Sequence, residues 1–314
     1  MSDAAHPTRG PLLAMLLGAT LISTSAVFVK WVHIGPTASA FWRMALAALM
    51  LAALMFVPKL VGRRGSWRLA PRTLALVALA ALFFAIDLWM WHRSILYVGV
   101  GLSTLLGNFQ VFVLAGYGAL MLGERGGWRL WAGLLLALLG LALLLVPGWG
   151  GFDARFRVGV AFGLGTALAY GVFLLAFRAA QAQSAAAANE ALLGWMCGLS
   201  ALLLGALSLL GGEDMQPHGV QDWSALLAYA LIAQVLGWLV IGRVMAKLPA
   251  GIVGLCLLLQ PLLAYVWDAL LFGTRLDGWG LLGVALSLAG IFLGLTREQA
   301  AVPVEREPVR DAGT

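Results

Sequence analysis

A handful of polar side chains in otherwise apolar sequence carry most of the chemistry open to this chain. Asp87, in FFAIDLWMWH, has a carboxylate that can take a substrate ammonium group or a proton, or be held structurally by a neighbouring helix or a water. Asn108 and Gln110 in GNFQVF, and Gln260 in LLLQP, carry amides that both donate and accept. Such groups suit a zwitterionic or polar solute, or hydrogen bonds between helices. On one helix Asn108 and Gln110 project about 200° apart, so Asn108 and Gln260 are the expected cavity liners. Pro261 removes a backbone bond beside Gln260, freeing a carbonyl or kinking the helix. Ser23, in a Ser-Thr-Ser run, aligns loosely with Tyr170 of the second half, and both are candidate liners. Gln234 and Trp238 stand four apart on one helical face, and with Trp89 they can box an apolar or aromatic side chain.

Three charged residues read as gating or structural. Arg43, in FWRMALA, is expected to snorkel to the outer face or to pair with a helix terminus. Glu124 and Arg125 sit at the inner end of a helix and are expected to organise a loop or a gate. Other chemistry is unsupported. The four histidines are scattered without an HExxH or Cys/His cluster, so no metal is expected. None of the lysines follows a Gly-rich loop, which leaves no Walker A motif, and no cofactor is expected. Cys197 and Cys256 fall in apolar runs and read as small core residues. No nucleophile, base or metal ligands converge, so the chain reads as no enzyme.

Composition explains why polar groups matter here. The 314 residues are 62% hydrophobic and 11% charged, with mean hydropathy +0.93. Soluble domains are about 45–50% apolar and about 25% charged. This is an all-α polytopic membrane protein, in which a central charge costs about 2.5–3.5 kcal/mol to insert. The net charge of +6 and pI near 9.8 therefore describe topology, and no nucleic-acid partner is expected.

Ten spans are predicted from apolar length: Pro11–Val32, Ala38–Val57, Thr73–Trp91, Val98–Met121, Trp128–Val146, Val158–Phe177, Ala191–Leu210, Trp223–Ile241, Ala250–Phe272 and Gly278–Thr296. The first reads as a retained helix, not a cleaved leader. Arginine and lysine gather on one side of this topology, above all in KLVGRRGSWRLAPR, which places both termini in the cytoplasm.

Shifting the sequence by 150 positions superposes Gly101–Leu145 on Gly251–Leu295 without a gap. Gly101/Gly251, Gln110/Gln260, Ala119/Ala269, Gly123/Gly273, Arg125/Arg275, Gly133/Gly283 and Gly140/Gly290 coincide. The fourth and ninth spans thus correspond, and each repeat holds five helices. Five is odd, so the second repeat is inverted relative to the first. Two inverted five-helix repeats, residues 1–150 and 151–296, are followed by a charged tail at 297–314 expected to be disordered.

GPTASAFWRMALA, IDLWMWHRSILYVGVGLSTLLGNFQVFVLAGYGALMLGER and LLLQPLLAYVWDALLFGTR resemble the drug/metabolite transporter superfamily, specifically bacterial proteins with two EamA-type repeats. The resemblance covers Pro11 to Thr296. It implies a ten-helix inner-membrane exporter of small metabolites such as amino acids, with a midplane site between the repeats. A flippase for a lipid-linked substrate is the alternative it leaves open. One departure stands out: the family's Gly-Glu is Gly123-Glu124 in the first half but Gly273-Thr274 in the second. The expected partners are a small-molecule substrate and the lipid bilayer. The Gly-rich helices suit a homodimer as well as internal packing.

Overall fold

The computed structural model describes residues 9–56, 68–124, 127–145, 153–184, 189–273 and 278–295. Arg125 and the 297–314 tail, both assigned roles from sequence, lie outside the described residues. All regular structure among the described residues is helical. The helices are α1 (Arg9–Ser23), α2 (Ser25–Trp31), α3 (Pro36–Phe56), α4 (Pro71–Gly107), α5 (Gln110–Met121), α6 (Trp128–Leu145) and α7 (Ala154–Ala182). They continue with α8 (Asn189–Leu210), α9 (Gly219–Ala228), a π-helical stretch (Tyr229–Gly237), α10 (Trp238–Val244), α11 (Ala250–Leu257), α12 (Leu259–Phe272) and α13 (Gly278–Leu295). Seven stretches are long and apolar enough to cross a membrane, and shorter apolar helices at Gln110–Met121, Trp128–Leu143 and Gly278–Gly294 complete ten spans.

Several spans are broken, and the local sequence explains each break. Ser23, Thr24 and Ser25 turn their hydroxyls back onto the Thr20, Leu21 and Ile22 carbonyls at 2.6, 2.6 and 2.5 Å. Such back-bonding competes with the helical ladder, and α1 gives way to α2 at Thr24. The helix α4 is helical from end to end but cannot be straight. Ser103 Oγ donates to Ser94 Oγ at 2.9 Å, although nine residues of straight helix rise about 13.5 Å. The helix therefore bends between Ser94 and Ser103, and the third and fourth spans run apart from there. Ser94 in turn donates to the Gly159 carbonyl at 2.9 Å and ties this corner to α7. The sixth span outruns its sequence boundary, continuing through Arg178 to Ala182.

The fourth and ninth spans break at equivalent positions. In the second half Pro261 lacks a donor and its ring crowds the Leu257 carbonyl, and α11 ends there. In the first half no proline is present. Asn108 acts instead, its Nδ2 donating to the Thr104 carbonyl at 2.7 Å. Both breaks close with i→i−3 bonds, Phe109 N to Leu106 O and Leu258 N to Leu255 O.

The fifth and tenth spans show the inverted symmetry most plainly. A methyl group added at Gly133 would stand 2.6 Å from Gly290 O, and one at Gly140 would stand 2.6 Å from Gly283 O. Gly133 pairs with Gly283 in the repeat, and Gly140 with Gly290, so the two contacts exchange under the 150-residue shift. Ser287 Oγ donates to Ala137 O at 3.1 Å; these two are repeat equivalents and lie on the pseudo-two-fold axis. Glycine is required here because the backbones touch.

Two apolar clusters result. The larger joins α1, α3, the first limb of α4, α7, α8 and α10 around Phe84, Phe173, Phe177 and Trp238. The smaller joins α5, α6, α11, α12 and α13.

Candidate functional site

The bundle holds a polar centre where α3, α4, α7, the π-helical stretch and α12 converge. Arg43 is 5% exposed, so it does not snorkel to a face. Its Nε donates to Gln234 Oε1 at 2.8 Å and its Nη1 to the Tyr229 hydroxyl at 2.8 Å. The guanidinium lies 4.7 Å from the centroid of the Tyr229 ring and 5.8 Å from that of Phe84. Gln234 is held in turn by donating Nε2 to Cys197 Sγ at 3.4 Å.

The π-helical stretch explains how Tyr229 and Gln234 reach the same guanidinium. They are five residues apart, and i→i+5 bonding sets residues five apart about one turn from each other. In an α-helix they would diverge. The irregular turn is stabilised by what it clamps.

Asp87 is 6% exposed on α4. It lies within Coulombic range of Arg43, and Tyr170 lies within range of both. Among the described residues Arg43 and Asp87 make no ion pair, and no hydrogen bond reaches the Asp87 carboxylate. Thr166 Oγ1 donates to the Asp87 backbone carbonyl at 3.4 Å, which fixes α7 against α4. Tyr170 lies beside the Gln260 side chain, and among the described residues Gln260 Nε2 is sealed from solvent without a partner.

Of the residues singled out by sequence, Asp87, Tyr170, Gln234 and Gln260 are brought to this centre, joined by Arg43. Asn108 and Gln110 are buried, Asn108 spending its amide on the helix break. Ser23 Oγ accepts from Trp267 Nε1 at 2.8 Å and ties the first span to the ninth. Trp238 faces Phe84, Phe173 and Phe177. Trp89 is elsewhere, edge-on to Phe162 at 5.9 Å with Arg93 over its ring, so the three-sided box with Gln234 and Trp238 does not form. Sequence reading missed Tyr229 and Cys197. Their signal was faint: they mark a polar partner set only once Arg43 is known to point inward.

Glu124 works at the end of the bundle where α1 begins. Its Oε2 accepts the Ala250 N–H at 2.7 Å, capping α11, and its Oε1 faces Arg178 Nη2 at 3.4 Å. Arg178 also donates to the Met245 and Leu248 carbonyls at 3.3 and 2.8 Å. Beneath this latch α5 and α11 press together, Gly118 on Ala250, Gly251 on Ala115 and Gly254 on Val111. This end is sealed. The repeat-equivalent segments at the other end, 100–107 and 260–271, share no extensive contact among the described residues. Contact between the equivalent segments is therefore unequal, close between α5 and α11 below the polar centre and slight between 100–107 and 260–271 above it. The latch is one-sided in sequence too, because Glu124 corresponds to Thr274.

Known proteins give the same picture. Among solved structures 29 chains match, including one described as "Crystal structure of protein" at 17% identity and TM-score 0.78, covering 91% of this chain and 98% of that one. At that identity the likeness speaks for the fold. No curated protein matches the chain. The EamA-like transporter family matches twice, over residues 9–146 and 157–296, one match for each half. With ten spans, inverted halves and two family matches that together cover nearly all of it, the chain belongs to the EamA-like transporter family of membrane proteins.

Proposed function

We propose that the protein is a secondary transporter that exports small polar metabolites, with amino acids the favoured class, by alternating access between its two repeats. The observation that carries this reading is the pair of buried, opposite and unjoined charges, Arg43 and Asp87, above a sealed end. Buried charges that no opposite charge neutralises are expensive, and a fold keeps them where a solute supplies the missing counter-charge. Inverted repeats supply the exchange of conformations: the contacts that now seal α5 against α11 have repeat-equivalent segments at the opposite end. The family resemblance supports a bacterial inner-membrane location and the distribution of Lys and Arg supports cytoplasmic termini, so that the sealed end faces the cytoplasm and the site faces outward.

The test is counterflow in proteoliposomes preloaded with a mixture of the twenty amino acids. Saturable exchange of external label, absent from empty liposomes, is expected. No exchange of amino acids by monodisperse protein contradicts the assignment of cargo.

A further inference from the structure

Arg43 and Asp87 are unusual in what they leave unused. Among the described residues the second amino group of Arg43, Nη2, has no protein partner, because Nε and Nη1 take Gln234 and Tyr229. Neither oxygen of Asp87 has one. Among the described residues the sealed and unpartnered polar side-chain atoms are His92 Nδ1, Ser208 Oγ, Trp238 Nε1 and Gln260 Nε2, and the tips of Arg43 and Asp87 are not among them. Both charged tips are therefore not wholly occluded, although their residues are 95% and 94% shielded. Between Arg43 and Asp87 the chain provides no direct contact.

We propose that Arg43 and Asp87 form a clamp for a zwitterion, Arg43 Nη2 taking the carboxylate and Asp87 the ammonium group of one cargo molecule. The clamp deepens the transport reading above and rests on it. Gln234 and Tyr229 hold the guanidinium plane fixed before cargo arrives, so little rotamer freedom is lost on binding. The arrangement selects against singly charged solutes. An amine alone leaves Arg43 uncompensated, and an acid alone leaves Asp87 uncompensated, each at the cost of a buried unpaired charge. This gives Arg43 a direct contact with cargo, beyond the gating or structural role read from sequence.

The experiment uses the full-length protein in proteoliposomes with leucine, leucinamide and 4-methylpentanoate as competitors of amino-acid counterflow. Parallel vesicles are preloaded with putrescine or with succinate. Leucine is expected to compete at least tenfold better than either analogue, since each charged hydrogen bond lost costs about a factor of ten or more. In Asp87→Asn the advantage of leucine over 4-methylpentanoate is expected to collapse, and in Arg43→Gln its advantage over leucinamide. A merely structural role would weaken all three competitors alike, and that result overturns the clamp. Thermal unfolding in detergent identifies any variant that fails to fold, and Arg43→Lys, which keeps the charge but loses the fork, then serves in its place. Exchange of putrescine or succinate but of no amino acid overturns the clamp while leaving the transport reading intact. No exchange of any of these solutes by folded protein overturns both.

Discussion

The centre of the molecule is a chain of side chains in which each fixes the next. Cys197 accepts from Gln234, Gln234 accepts from Arg43, and Arg43 stacks on Tyr229 while facing the space beside Asp87. Removing the middle link should matter more to affinity than to folding. Gln234→Leu keeps volume and deletes the acceptor, so Arg43 loses one of its two tethers. Half-saturation for amino-acid counterflow is expected to rise about tenfold, by the roughly 1.5–3 kcal/mol of a charged hydrogen bond. The maximal rate should change less, which a concentration series of initial rates measures. Asp87, Tyr170 and Gln260 were legible in the sequence because polar groups in apolar spans are few and costly. The inward turn of Arg43 was not. A position about a turn and a half into its helix is equally compatible with snorkelling, and only Tyr229 and Gln234, far away in sequence, decide it.

Elements are set by caps and breaks that place those residues. Glu213 accepts from Thr37 N–H, Thr37 Oγ1 and Ala38 N–H at 2.8, 2.6 and 3.1 Å, capping the helix that carries Arg43. Glu213→Ala is expected to cost about 1–2 kcal/mol, read as a lower unfolding midpoint in detergent. Glu124 has a different task, because it joins α5, α7 and α11 only while their shared end is sealed. Glu124→Ala should weaken that end by about 1–3 kcal/mol and shift the population toward its opening. Alkylation of a cysteine placed at Ala115 should then accelerate about tenfold or more, with little change in the unfolding midpoint. Span positions were legible from hydropathy alone, and the break at Pro261 from proline chemistry. The matching break at Asn108 and the π-helical stretch were not, since each depends on a side chain outcompeting the helical ladder.

At the scale of the whole molecule, a repeat detected as seven coincident residues becomes a physical two-fold axis through Ala137 and Ser287. The glycines at its crossing are predicted to be intolerant: Gly140→Val should lower stability by about 1–3 kcal/mol through overpacking. Gly116→Val, where nothing lies within 4 Å, should be silent in the same unfolding measurement. The asymmetry between the ends is the larger consequence, because a transporter that alternates must be able to undo the sealed end. Gly251 and Ala115 provide the handle, since a Cβ at Gly251 stands 3.5 Å from the Ala115 Cβ, within disulfide range. The decisive measurement is counterflow by Ala115→Cys/Gly251→Cys protein in a background lacking Cys197 and Cys256, before oxidation, after it, and after reduction. Alternating access predicts that closing this disulfide abolishes exchange and that reduction restores it. Undiminished exchange by fully cross-linked protein would contradict the account, because the sealed end would then play no part in transport.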